Sequence, residues 1–200
     1  MVPRSKVVKF RYVDQIEFSL ASSSPQQHFF SCNSLHDPDE TGLGHQPMGY
    51  DFWQQLYRHY TVIGSKITVT ASTRATAAVY DDDLVFGIRV DNNGSFSTTT
   101  WTKFAEQPNT KWAYYSSGKT GGRQLATLSK KWSAKKWFSQ KNVLSDDELG
   151  ADFESSPTVE AYFNLLVGSM DDNASSALPA MCVVIEYIAV LSELQDQAQS

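Results

Sequence analysis

Along residues 45–70 (HQPMGYDFWQQLYRHYTVIGSKITVT) the spacing of apolar positions changes once. Phe52, Trp53, Leu56, Tyr57 and Tyr60 share one helical face, and Asp51 stands where a first-turn cap would stand. That spacing predicts a two-turn helix over 51–59. From Tyr60 to Thr73 the period is two, which places Ile63, Ile67 and Val69 on one face of a strand.

The same alternation predicts the other strands. Residues 7–20 are rich in Val, Phe, Tyr and Ile and end at the breaker Ser22-Ser23-Ser24-Pro25. Residues 28–35 give a shorter strand, followed by a polar connection through Asp37-Pro38-Asp39, Gly42 and Gly44. Residues 84–90 follow Asp81-Asp82-Asp83 and stop at Asp91-Asn92-Asn93-Gly94, after which a Ser/Thr-rich loop runs to Asn109. Residues 111–116 and 123–131 read as a hairpin joined through 117–122, residues 133–139 as one helical turn, and 145–156 as an acidic loop. The last strands, 158–167 and 179–194, flank a polar turn at Asp171-Asp172-Asn173. Their continuous apolar runs, 165–167 and 182–185, suggest strands covered on both faces or clamped inside a sandwich.

Eight strands with one or two short helices in loops, and no strand–helix–strand alternation, predict an all-β, antiparallel jelly-roll sandwich. The first, eighth, third and sixth strands would form one sheet and the second, seventh, fourth and fifth the other. The expectation is a single domain over residues 1–200, with a short basic segment at 1–6 and a frayed tail at 195–200.

Composition narrows the class further. No run of about eighteen apolar residues offers a membrane span, and the first residues, MVPRSKVVKFRY, lack the pattern of a secretory signal. Cys32 and Cys182 are too few for a disulfide scaffold or a zinc site and read as buried packing residues. All 17 Lys and Arg lie between Arg4 and Lys141, where 11 acids leave a charge of plus six; residues 142–200 hold 11 acids and no base. Such a division of the net −5 suits a molecule whose surfaces meet different partners, such as copies of itself or a polyanion.

The run Pro47-x-Gly49-x-Asp51-x-Trp53-x-x-Leu56-Tyr57-x-x-Tyr60-x-Val62-x-Gly64-Ser65-Lys66-Ile67 resembles a segment of the coat proteins of circular Rep-encoding single-stranded DNA viruses, the circovirus-like group. Lys135-Lys136-Trp137-Phe138 before an acidic stretch, Pro157 before an aromatic strand, and Val184-Ile185-Glu186-Tyr187 extend the similarity across about 7–194. The resemblance implies a capsid protein without enzymatic activity or cofactor. It implies self-assembly into a T=1 icosahedral shell of about sixty copies around circular single-stranded DNA, in the virion after assembly in the host nucleus. A host attachment receptor is implied as a partner without any residue identifying it; no membrane is.

Members of that group usually begin with an arginine-rich arm that carries the nuclear import signal and neutralises the genome. Here only Arg4, Lys6, Lys9 and Arg11 stand in that place, enough for weak, salt-sensitive phosphate binding. Either such an arm was removed ahead of Met1, which is the expectation, or another mechanism packs the genome.

Other motifs compete with this reading. Residues 113–120 (AYYSSGKT) fit the formal phosphate-loop pattern, but Gly121-Gly122 would break the helix that such a loop needs. His28, His36, His45 and His59, with Asp37 and Asp39 nearby, could ligate a metal only if the fold converged them. The acidic runs 81–83 and 146–148 meet the same condition as candidates for divalent ions. No Gly-x-Ser-x-Gly elbow or Cys–His neighbour supports nucleophilic catalysis. Asn93-Gly94-Ser95 and Asn173-Ala174-Ser175 read as turns. A jelly-roll lectin with exposed aromatics is the alternative function, and a cupin-type metalloenzyme shares the architecture.

Within the coat-protein reading, Trp53, Tyr57, Trp101 and Trp137 are candidate subunit contacts. Topology would place the 51–59 helix with Lys135, Lys136 and the acids 146–148 at one end. Asp82, Asp83, Lys119, Arg123, Asp171 and Asp172 would lie at the other, their opposite charges pairing between copies about a fivefold axis.

Overall fold

The computed structural model describes residues 3–20, 24–73, 83–95, 100–116, 125–171 and 179–195. Its first sheet has the order β1 (Ser5–Glu17), β9 (Pro179–Leu194), β3 (Tyr57–Thr73), β6 (Ala126–Ser133), with β7 (Gly150–Asp152) also paired to β3. The second has the order β2 (Gln26–Ser31), β8 (Tyr162–Ser169), β4 (Asp83–Asp91), β5 (Thr110–Ser116). Every pairing is antiparallel. Allowing for the added short strand, this is the jelly-roll order that the sequence predicts.

Inward positions of both sheets build the core. Phe10 and Tyr12 of β1, Ile67 and Val69 of β3, and Ile185 and Tyr187 of β9 meet Phe30, Phe86, Phe163 and Leu165 of the other sheet. Each large side chain removed from water contributes about 1.5–3 kcal/mol. Polar links pin the layers: Tyr187 donates to the Ser31 carbonyl at 2.8 Å and Ser65 to the Cys32 carbonyl at 2.7 Å. No helix among the described residues is long and apolar enough to cross a membrane.

Several local expectations are corrected. Helix α1 (Tyr50–Gln54) has five residues, because the chain leaves it to pair Tyr57 with Leu194. Its N-cap is Gly49 at φ 84°, a left-handed conformation suited to glycine, and Asp51 lies in the first turn without capping. Residues 111–116 and 126–133 end in different sheets; no ladder joins β5 to β6 among the described residues. The acidic loop contains β7, where Gly150 leaves no room for a side chain beside His59. Cys32 is buried as expected, but Cys182 is exposed on the outward face of β9, which alternates over 182–185.

The Ser/Thr-rich loop contains helix α2 (Trp101–Ala105), whose Thr100 side chain accepts from the Lys103 amide. Buried Phe104 covers the outward face of β4 at Gly87, where a Cβ would come within 2.7 Å of its ring. Gly87 pairs with Leu166, so α2 explains why β8 is buried on both faces as its apolar run suggests. Helix α3 (Ala134–Trp137) follows β6, and a 3-10 turn at Val143–Ser145 comes after it.

Candidate self-association and polyanion-binding surfaces

Antiparallel register aligns four charged side chains across the outward face of the first sheet. Arg11 of β1 pairs with Glu186 of β9, Glu186 with Lys66 of β3, and Lys66 with Lys131 of β6. Lys9 sits two residues from Arg11 on the same face, opposite Ile188. These residues border a shallow cavity of about 510 Å³. Arg11 donates to Glu186 at 3.0 Å while both remain exposed, so the row holds four cations about a single carboxylate. Sequence reasoning selected Lys9 and Arg11; Lys66 and Lys131 join them only through cross-strand pairing.

A second cavity, about 630 Å³, opens beside β6, the edge strand of the first sheet among the described residues. Val90, Trp132 and Trp137 give it apolar walls, and Lys130, Lys131 and Lys136 give it positive charge. Burial and then the neighbouring Lys111 charge push the Lys130 amine below its ordinary value. Among the described residues none of these lysines makes an ion pair.

Acidic groups gather at the opposite edge, beyond β2. Asp39 pairs with Phe30 as an isolated bridge, which lays the 37–44 turn along that strand. Burial opposes ionisation of Asp39, but hydrogen bonds from His28 (2.9 Å) and Thr41 hold its carboxyl below the usual range. Burial, then the charges of Asp37 and Asp39, raise Glu40. Burial pushes Glu160 up to about 7 against the Ser31 hydrogen bond of 2.8 Å, with Glu40 and Asp37 adding to the shift. Among the described residues no group of three or more His, Cys, Asp or Glu side chains is arranged to hold a metal ion.

The outward face of β5 carries an aromatic cluster. Trp112 and Tyr114 lie 5.0 Å apart, and Trp101 of α2 meets them edge-on at 5.6 and 5.8 Å. Trp112 and Tyr114 remain exposed. Trp101 is fixed by donating its indole N–H to the Met170 carbonyl at 2.8 Å.

No family model matches the chain, and no curated protein sequence matches it. Its structural likeness is to viral coat proteins. The BFDV capsid protein solved as a 60-mer aligns over 100% of both chains at 10% identity with a TM-score of 0.50. The decameric BFDV capsid protein aligns over 95% of this chain and 100% of its own at 8% identity, TM-score 0.49. Desmodium yellow mottle tymovirus aligns over 100% and 94% at 12% identity, TM-score 0.45. At such identities the first of these likenesses establishes a shared fold.

The other sequence-selected residues fall in several places. Arg4 is exposed, and the Lys6 ammonium lies 4.8 Å over the ring of half-buried Trp53. Tyr57 is fully buried and donates to the Pro3 carbonyl at 2.8 Å, which makes it a tie within the subunit. Lys135 and Lys136 are exposed on α3, and half-buried Trp137 donates to Asn92. Gln140 reaches Asp146 at 3.2 Å within the 132–157 segment, and the Tyr50 ring of α1 lies 5.0 Å from that of Phe153, which brings α1 against the later part of that segment. Asp83 lies at the opposite end, its carbonyl accepting from the Met170 amide, one residue before Asp171. Asp82, Lys119, Arg123 and Asp172 lie outside the described residues, as do Asp81 and the 117–120 half of the phosphate-loop pattern. Asn93 accepts from the amide and hydroxyl of Ser95, a closed polar turn.

Proposed function

We propose that the chain is a viral coat protein, circovirus-like, which assembles from identical copies into a closed T=1 icosahedral shell around circular single-stranded DNA. The observation that carries this reading is the whole-chain jelly roll, β1-β9-β3-β6 over β2-β8-β4-β5, matching the subunit of a 60-mer from end to end. The 47–67 pattern described above adds to it. The molecule works by association and performs no covalent chemistry; its place is the virion, with assembly in the host nucleus.

The row Lys9, Arg11, Lys66 and Lys131 is the DNA-facing surface in this reading. Four cations on one sheet face spread positive charge over a strip several strands wide, which suits a phosphate backbone without reading base sequence. Subunit contacts draw on Trp53, Trp101, Trp137, Lys135 and Lys136, and on charges at the Asp83 and Asp171 end. Electron microscopy of purified protein, with extraction of nuclease-protected DNA, tests both halves. Uniform closed particles holding DNA are expected; a dispersed monomer would defeat the proposal.

The exposed aromatic cluster favours one second reading, a carbohydrate-binding module, since flat apolar rings suit sugar faces. A monomer that binds a glycan array through Trp112 and Tyr114 would support it.

A further inference from the structure

We propose that the lysine-lined trough beside β6 receives the acidic 37–48 turn of a second copy of this chain, a head-to-tail contact. The inference rests on the self-assembly reading above and names two surfaces that would meet.

The two surfaces occupy opposite edges of one sandwich. β5 and β6 close one side, β1 and β2 the other. They also lie at the same end: Ser31 of β2 pairs with Tyr162 of β8, Tyr162 with Asp91 of β4, and the Val90 amide bonds to Asn109 just before β5. Val90 and Asn109 line the trough, and the acidic turn begins six residues after Ser31. Two different patches at one height on opposite edges are what a heterologous contact needs, and such a contact generates a ring when its rotation closes.

Their chemistry is complementary. The trough offers the ammonium groups of Lys130 and Lys136 beside half-buried Trp137, over the buried side chains of Val90 and Trp132. The turn offers Asp37 and the exposed Glu40, and then two exposed apolar side chains, Leu43 at 90% and Met48 at 91% exposure. His45 holds the turn to β1, with one ring nitrogen 3.0 Å from the Val13 carbonyl and its ring 4.7 Å from Tyr12, so the turn is presented on a fixed support. Within one copy like charges crowd each other on both surfaces, Lys111 against Lys130 and Asp37 and Asp39 against Glu40. Docking would set each group against its opposite. The apolar side chains of the turn favour a protein occupant over nucleic acid: a phosphate backbone would use the lysines alone, whereas a second copy also sets Leu43 and Met48 against half-buried Trp137.

The test is charge exchange in the full chain. Glu40→Lys, Lys136→Glu and the double variant are compared with wild type by sedimentation velocity at one protein and salt concentration. Both positions are exposed. Each single variant is expected to lower the assembled fraction at least tenfold, and the double variant to recover most of it, which a misfolded subunit could not do. Three results overturn the proposal while leaving the coat-protein reading intact: single variants that assemble like wild type, a double variant no better than the singles, or normal shells that retain less DNA. The last would assign the trough to nucleic acid. A wild-type chain that never assembles removes both readings together.

Discussion

The ring of Phe104 occupies the space above Gly87 that a side chain there would need, with Cε1 2.7 Å from the place of a Cβ. Helix α2 is therefore seated on a bare stretch of backbone in the centre of a sheet. Gly87→Ala is expected to lower stability by about 1–3 kcal/mol through overpacking. Phe104→Ala should cost about 3 kcal/mol by emptying the same site. Because the double variant has room for the added methyl, its loss should fall short of the sum. Urea unfolding of the four proteins measures this coupling; strict additivity would mean that the two residues do not compete for one space.

Tyr60 joins three segments through its hydroxyl, which donates to the Ser155 carbonyl at 3.0 Å and accepts from the Leu35 amide at 3.3 Å. Tyr60→Phe keeps the ring and leaves that buried amide without its partner, a loss of about 1–3 kcal/mol. Hydrogen exchange at Leu35 should accelerate more than at core amides of β9. Equal protection in both proteins would show that the bond contributes nothing.

Glu160 gives stability a pH dependence whose sign follows from its raised pKa. Its carboxyl titrates near 4.5 when unfolded and about 7 when folded, so between these values the native state binds the proton more tightly. Its contribution favours folding at low pH, declines as pH rises through that window and levels above about 7. With solvent screening the decline amounts to about 1–2 kcal/mol. Raised Asp37 and Glu40 act in the same direction. Glu160→Gln should reduce the fall in melting temperature between pH 5 and pH 8. An unchanged pH profile would place the titration elsewhere.

The cation row makes a separate expectation about DNA. Lys66→Ala or Lys131→Ala should weaken binding of a labelled single-stranded oligonucleotide and reduce the slope of log affinity against log salt by about 0.7 for each phosphate no longer neutralised. Glu186→Gln should act oppositely, because it releases Arg11 and removes the row's carboxylate. Fluorescence anisotropy across a salt series reads both effects. An unaltered slope in both lysine variants would show that DNA lies on another face.

Much of this architecture is legible in residue order alone. The alternation of Phe10 and Tyr12, and of Ile67 and Val69, marks sheet faces because a half-buried strand must repeat every two residues. The apolar run of β8 correctly signals cover on both faces. Its cover, α2, is hidden among Ser and Thr residues, and its available signs are Thr100 as a cap and the three-residue spacing of Trp101 and Phe104. β7 carries only Gly-Ala-Asp and forms through pairing with His59–Thr61, so local propensity does not reveal it. The same limit applies to the surfaces. Lys9 and Arg11 are close in sequence, whereas Lys66 and Lys131 become their neighbours only through ladder register. Tyr57 resembles an interface aromatic by type, yet its place beneath the start of β1 makes it core.

Light scattering coupled to size-exclusion chromatography of the full chain tests self-assembly most directly. The expected result is a narrow peak with a mass about sixty times the 22.3 kDa subunit, dissociating as salt is raised. A single species of 22.3 kDa at every salt concentration and pH would contradict it.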